Sequence, residues 1–220
     1  ESVSERAAIA ASYRADAQFG ASLEQALPPA AKVFQLPAIA YPEAGSALGD
    51  YRQFRNPLHA PQLRFTHGAM RGRPEAEWLQ QTAALAPAAF ADSLDRLGFA
   101  AVVVDAAGQS AAIEAQVALL QQRGWRRLEA SDDSQFALLA PVTARATARA
   151  VAVEHGWYPL EQSPDGRRWR WSKGAASLRI APGDSDCELP LRLSALQAGE
   201  GRWQADGSGS NHPLKLKADL

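Results

Sequence analysis

Hydrophobic spacing divides this chain into two textures. Up to about residue 141, apolar positions recur at helical spacing between short continuous apolar runs. Beyond about residue 151 they alternate. Ser4 to Leu27 predicts an opening helix, with Ser4 as N-cap and Pro28-Pro29 as the stop. Its stripe of Ile9, Tyr13, Ala17 and Leu23 is loose, and Gly20 weakens it. Val33 to Leu36 predicts the first strand. Pro74 suits a first helical position, with Glu75 and Glu77 in the following turn, and opens a helix to about Ala84. Pro87 opens another, faced by Phe90, Leu94 and Leu97 and ended by Gly98. Ala101 to Val104 reads as a strand covered on both faces. It ends in Asp105 and a turn at Gly108. Ser110 caps a helix that carries Ile113, Val117 and Leu120 and stops before Gly124. Trp125–Glu129 and Gln135–Leu139 form a hairpin around Ser131-Asp132-Asp133.

The alternating part begins after a stretch rich in Ala, Arg and Thr, so a domain boundary is expected between Pro141 and Val151. Trp169 and Trp171 face one way, Arg168 and Arg170 the other. Leu178/Ile180, Leu189/Leu191/Leu193 and Leu214/Leu216 continue the period of two. Turn signals separate them at Pro164-Asp165-Gly166, Lys173-Gly174, Pro182-Gly183-Asp184 and Asp206-Gly207. The fold class that follows is α/β (α+β). A small layered α/β domain over 1–145 precedes an antiparallel β-sandwich-like domain over 146–220.

Composition narrows the function classes. Of 220 residues, 46% are apolar and 21% charged, enough to bury a core. A net charge of −1 supplies no global field toward nucleic acid, so no nucleic-acid partner is expected and any electrostatic function is local. A single cysteine, Cys187, forms no internal disulfide. No run approaches the roughly 18 apolar residues of a membrane span, and no signal peptide is visible. The chain starts at Glu1 without Met, which reads as a processed chain or part of a longer one.

Local charge gathers in residues 50–73. Arg52, Arg55, Arg64, Arg71 and Arg73 stand there with His59 and His67, one acid (Asp50), and the aromatics Tyr51, Phe54 and Phe65. A connection of that length is usually functional. The segment is expected to be irregular, with one helical turn near Tyr51–Phe54. Arginine forks suit phosphate or carboxylate, so Arg52, Arg55, Arg64, His67, Arg71 and Arg73 form the candidate ligand-binding set. The plain alternative is that the arginines pair with acids such as Glu43, Glu75, Glu77 and Asp105 and brace the segment. Gly68 and Gly72 are expected to supply at least one positive φ or close approach. Neither histidine has a second His or Cys at ligand spacing, so no metal is expected, and no cofactor. Asp105 ends a strand where α/β sheets place functional acids, although a turn-forming role suffices. No Gly-rich loop follows the first strand and no G-x-S-x-G occurs, which argues against dinucleotide binding and serine hydrolysis. Trp157, Tyr158, Trp169, Trp171 and Trp203 are dense for the β part. They fill a core or stack on sugar rings.

VFQLP, YPE, DYRQFRNPLH and LRFTHGAMRGR, followed by Glu77-Trp78, resemble a family of large bacterial inner-membrane proteins. Its members are polytopic and glycosyltransferase-like, labelled sugar translocase or phosphoglycerol-transferase-like. The VVVD strand and GWYPLE…RRWRWS also look like the family's extracytoplasmic C-terminal portion, and the resemblance covers about residues 32 to 181. One departure is Phe65-Thr66-His67, where the family's pattern carries a Trp-Ser-Tyr-like triplet. The resemblance implies a location on the periplasmic side of the inner membrane. It implies a partner in the protein's own transmembrane region, a lipid-linked sugar or phosphate ligand, and catalytic acids that lie outside this chain. The rival readings are a carbohydrate-binding module without catalysis and an independent soluble enzyme with an Arg/His anion site.

Overall fold

A 24-residue helix, α1 (Val3–Ala26), opens the chain and stops ahead of Pro28. Only Ala15, Asp16, Phe19, Gly20 and Leu23 of this helix are buried, so it is anchored through its second half while Val3 to Arg14 stand exposed. The computed structural model describes residues 3–39, 41, 51–67, 69–132, 134–141, 151–165, 167–173 and 175–180. The expected boundary stretch 142–150, Gly68, Cys187, Trp203 and the alternating leucines from Leu189 onward lie outside the described residues.

After α1 comes β1 (Lys32–Leu36). The basic segment then forms a 3₁₀ turn over Arg52–Phe54, a short helix α2 (Arg55–His59) and a two-residue strand β2 (Arg64–Phe65). That is more regular than the sequence suggests, and a pairing of two residues is too short to leave a periodic signal. Next come α3 (Pro74–Ala83), α4 (Pro87–Leu97), β3 (Phe99–Asp105) and α5 (Ala111–Gln122). The hairpin β4 (Arg126–Glu129) and β5 (Gln135–Leu139) follows. Pro74 and Pro87 occupy first helical positions, and the Ser110 hydroxyl accepts the Ile113 N–H as the cap of α5.

The five strands make one mixed sheet in the order β2-β1-β3-β5-β4. β1 runs parallel to β2 and β3, and β5 runs antiparallel to β3 and β4. Strand alternation sorts the core into two layers. Phe34, Leu36, Val102, Val104, Phe136 and Leu138 meet the buried faces of α3, α4 and α5. Val33, Ala101, Val103, Ala137 and Leu139 meet Phe19, Leu23 and Leu27 of the α1 region, with Ala60 and Leu63. This is an α/β fold with helices on both sheet faces, which is why β3 reads as a near-continuous apolar run.

The later part supplies two small antiparallel ladders. β6 (Val151–Val153) pairs with β9 (Leu178–Ile180), and β7 (Glu161–Gln162) pairs with β8 (Arg168–Trp169). β6 lies against α3, and Arg170 Nη2 meets Glu77 Oε1 at 2.7 Å. The further strands expected of a β-sandwich fall outside the described residues.

Gly20 continues α1 where its intrinsic preference would weaken it. The reason is its neighbour. A Cβ placed there would sit 2.5 Å from the His59 carbonyl oxygen and 2.9 Å from His59 Cβ. The missing side chain lets α2 cross against α1, with the Tyr13 and His59 rings edge to face at 4.6 Å. In an open helix, Gly→Ala stabilises. At this crossing Gly20→Ala is predicted to lose about 1–3 kcal/mol instead, the usual cost of overpacking. Urea unfolding measures it, and a stabilised variant would show that the helices have room to part.

Candidate functional site

The carboxyl ends of the parallel strands β1 and β3 carry a polar row. Register places Gln35 of β1 against Val103, and Asp105 of β3 against Gln135 of β5. By alternation, Gln35, Asp105 and Gln135 share the α1 face of the sheet. They are 2%, 4% and 1% exposed, so each needs partners. The basic segment and α1 provide most of them, and Gln135 Oε1 has no hydrogen-bond partner among the described residues.

Asp105 is the most heavily engaged. Its Oδ2 accepts from Arg52 Nε at 2.7 Å and Arg55 Nη2 at 3.0 Å, and its Oδ1 accepts the Ala107 N–H at 3.0 Å. The turn-forming and the ion-binding roles of this residue therefore coexist, one on each oxygen. Arg55 Nη1 also lies 3.3 Å from Asp16 Oδ1, which accepts from Gln135 Nε2 at 3.2 Å. Gln35 Nε2 donates to the Gln53 carbonyl at 3.0 Å, and its backbone N–H donates to Thr66 Oγ1 at 3.0 Å. The His67 backbone N–H reaches Gln35 Oε1 at 3.3 Å, and Gln53 Nε2 donates to the Pro37 carbonyl at 2.6 Å. Residues 51–67 are thereby bolted across the strand ends.

An aromatic layer continues from this network. Phe54 meets the His67 ring at 4.3 Å and the Tyr41 ring at 5.4 Å, and Tyr41 lies 5.8 Å from Tyr51. Tyr51 holds a left-handed backbone, φ 66°, and the residue is 59% exposed. Such strain in a non-glycine residue clusters at functional sites. Beyond β1, Tyr41 forms a parallel bridge with Met70, in which its N–H reaches the Ala69 carbonyl at 2.9 Å and its carbonyl accepts the Arg71 N–H at 2.7 Å. The chain then turns over Met70–Arg73, closed by the Arg73 N–H on the Met70 carbonyl at 3.0 Å. Gly72 has φ 79° and open space around its missing Cβ. The turn needs glycine for backbone conformation and not for packing.

The candidate arginines thus separate into three groups. Arg52 and Arg55 are held by Asp105 and Asp16. Arg71 and Arg73 project from the exposed turn at the carboxyl end of the sheet. Arg64 pairs in register with Lys32 at the opposite end, roughly 13 Å down the strand at ~3.3 Å per residue. It does not join the others. His67 is packed against Phe54 at the junction of the polar and aromatic layers. No ion pair to Arg64 or Arg73 occurs among the described residues. Sequence reasoning passed over Asp16, Gln35, Gln53 and Gln135. Gln35 was the readable one, as a polar residue inside the apolar run KVFQL.

Comparison with family models, with curated proteins and with solved structures finds no match to this chain. The chemistry of the site rests on its geometry. Both Asp105 oxygens accept hydrogen bonds and the residue is buried, so this carboxylate organises cations. Exposed cationic groups lie on the rim, where the Arg52 side chain is 33% exposed and Arg71 and Arg73 are exposed.

Asp105→Asn leaves Arg52 without its charge partner and Arg55 with Asp16 alone, and is predicted to destabilise by about 3 kcal/mol, read from urea unfolding. A loss under about 1 kcal/mol would show that solvent compensates both. Asp16 behaves differently. Burial raises its carboxyl above the usual range, against the pull of Arg55. A raised folded-state value favours the protonated form, so its contribution to stability is present below the unfolded value of 3.8 and is lost as pH rises through the folded value. Asp16→Asn removes that loss. The stability difference between variant and wild type should therefore move in the variant's favour from pH 3 to pH 7. A difference that moves the other way would show Arg55 outweighing burial.

Proposed function

We propose that this chain is the extracytoplasmic, substrate-binding region of a membrane-embedded glycosyl- or related group-transferase. In this reading, the turn bearing Arg71 and Arg73 receives the anionic head of a lipid-linked donor. The observation that carries it is the mounting of that turn. Two arginines project from a tight turn fastened by backbone hydrogen bonds to the continuation of β1. This is the edge of an α/β sheet, outside the carboxyl ends of parallel strands, where ligands bind. Arg52 and Tyr51 border the same edge with partly and largely exposed side chains. Arginine forks recognise phosphate by paired charge-assisted hydrogen bonds. The resemblance of VFQLP, DYRQFRNPLH and LRFTHGAMRGR to the membrane-protein family supports the same assignment. Among the described residues no helix is long and apolar enough to cross a membrane, so in this reading the spanning region and the catalytic acids belong to other segments.

The test is calorimetric titration of the chain with a short isoprenyl monophosphate, and separately with inorganic phosphate. Wild type should bind the isoprenyl phosphate, with affinity falling as salt rises. Arg71→Ala and Arg73→Ala should each weaken binding by about tenfold or more. Arg64→Ala should leave it unchanged, since Arg64 lies at the other end of the sheet. Negligible heats for all four proteins would reduce the segment to a structural brace.

A further inference from the structure

The hairpin of β7 and β8 presents an aromatic face that the arginine site does not use. Its register sets Glu161 opposite Trp169 and Gln162 opposite Arg168. Further along, Trp157 bridges Ser172, and the Tyr158 N–H donates to the Trp171 carbonyl at 2.8 Å. The pairing slips by one residue between these points, with the extra residue on the Tyr158–Glu161 side, so alternation along the other side sets Trp169, Trp171 and Lys173 on one face. Tyr158 lies across from Trp171, and Glu161 across from Trp169. Lys173 Nζ stands 5.1 Å from the centre of the Tyr158 ring, as that shared face requires. The three residues are 38% (Trp169), 39% (Trp171) and 47% (Tyr158) exposed. The back of the hairpin is tied down, since Arg170 donates to the Tyr158 carbonyl at 3.1 Å and pairs with Glu77 on α3 at 2.7 Å. Scattered exposed aromatics need no explanation. Three on one face of a hairpin fixed from behind form a preorganised platform.

We infer that Tyr158, Trp169 and Trp171 form a binding platform for a neutral glycan. Indole and phenol faces carry negative quadrupole density that attracts the C–H bonds of a pyranose, and their rigid rings lose little entropy on stacking. The polar groups on the same face decide between ligand classes. One carboxylate, Glu161, and one ammonium, Lys173, leave the face without net charge. Such a pair suits hydroxyl groups, which donate to the one and accept from the other. A single-stranded nucleic acid would need a basic groove along its phosphates, yet Arg168 points to the other face, Arg170 is held by Glu77, and Arg167 pairs with Asp165 at 2.9 Å.

Calorimetry of the full chain against neutral tetrasaccharides of glucose, mannose, galactose and N-acetylglucosamine tests this, with a ten-nucleotide oligothymidylate as a separate arm. At least one tetrasaccharide should bind saturably. Trp169→Ala and Trp171→Ala should each weaken it about tenfold, and the double variant should abolish it. Trp169→Phe and Trp171→Phe keep a ring and should retain binding within a few fold, which separates stacking from misfolding. Arg71→Ala and Arg73→Ala should not change it, so this platform and the anion site stand or fall separately. Binding by none of the tetrasaccharides would overturn the inference, as would glycan affinity that survives the double variant. Tight oligothymidylate binding lost in the tryptophan variants would overturn it in favour of a nucleic-acid face.

Discussion

One carboxylate at the end of one strand organises the whole upper edge of this molecule. Asp105 could not stay buried at the end of β3 without cations, and Arg52 and Arg55 meet it at 2.7 and 3.0 Å. Drawing those two arginines onto the sheet fixes where α2 begins. α2 can then rest on α1 only because residue 20 has no side chain. The same arginine carries the charge onward to Asp16 at 3.3 Å, so strand, helix and long connection are joined through a single guanidinium. Desolvating such groups costs much of what their attraction returns. The network's effect is therefore chiefly positional, setting one path for a segment that could otherwise take several.

That division of labour explains the layout of the edge. In the lower polar layer Gln35, Gln53 and Thr66 bond one another and the backbone and Gln135 Nε2 donates to Asp16, while Gln135 Oε1 and Arg55 Nε are buried without a hydrogen-bond partner among the described residues. The aromatic layer of Tyr41, Phe54 and His67 covers it. Beyond it, Tyr51 and the Met70–Arg73 turn are exposed. In the proposed reading, a rigid foundation spares the ligand the entropy of ordering a 24-residue connection.

Much of the α/β core was legible because its signals are local. Proline at first helical positions, Ser110 as a cap, and the β-branched run before Asp105 each state their structure within a few residues. The site was legible only in part, and the reason is distance along the chain. The excess of arginine in 50–73 was plain, and Asp105 stood among the acids expected to balance it, but Asp16, 39 residues from Arg55 (55 − 16), did not. Nothing local ties Asp16 to the sheet, since it sits on a helix whose apolar stripe is weak. Arg64 looked like a member of the cluster by position, but the parallel pairing of β2 with β1 carries it to the far end. Two residues of ladder have no periodicity to read.

The order of strands also bears on how copies of this protein can meet. An open sheet offers two flanks where a neighbour's backbone could add on and propagate into an ordered aggregate. Here one flank is β2, whose two residues give an incoming strand little to grip. The other is β4, where Arg126, Arg127 and Glu129 are exposed and the Arg127 guanidinium lies 3.6 Å from the centre of the Phe136 ring. An approaching strand at that side would have to displace or bury charge. Backbone templating is thus discouraged on both sides of the main sheet, and a crowded population of such chains could stay dispersed while its side-chain surfaces remain open for recognition.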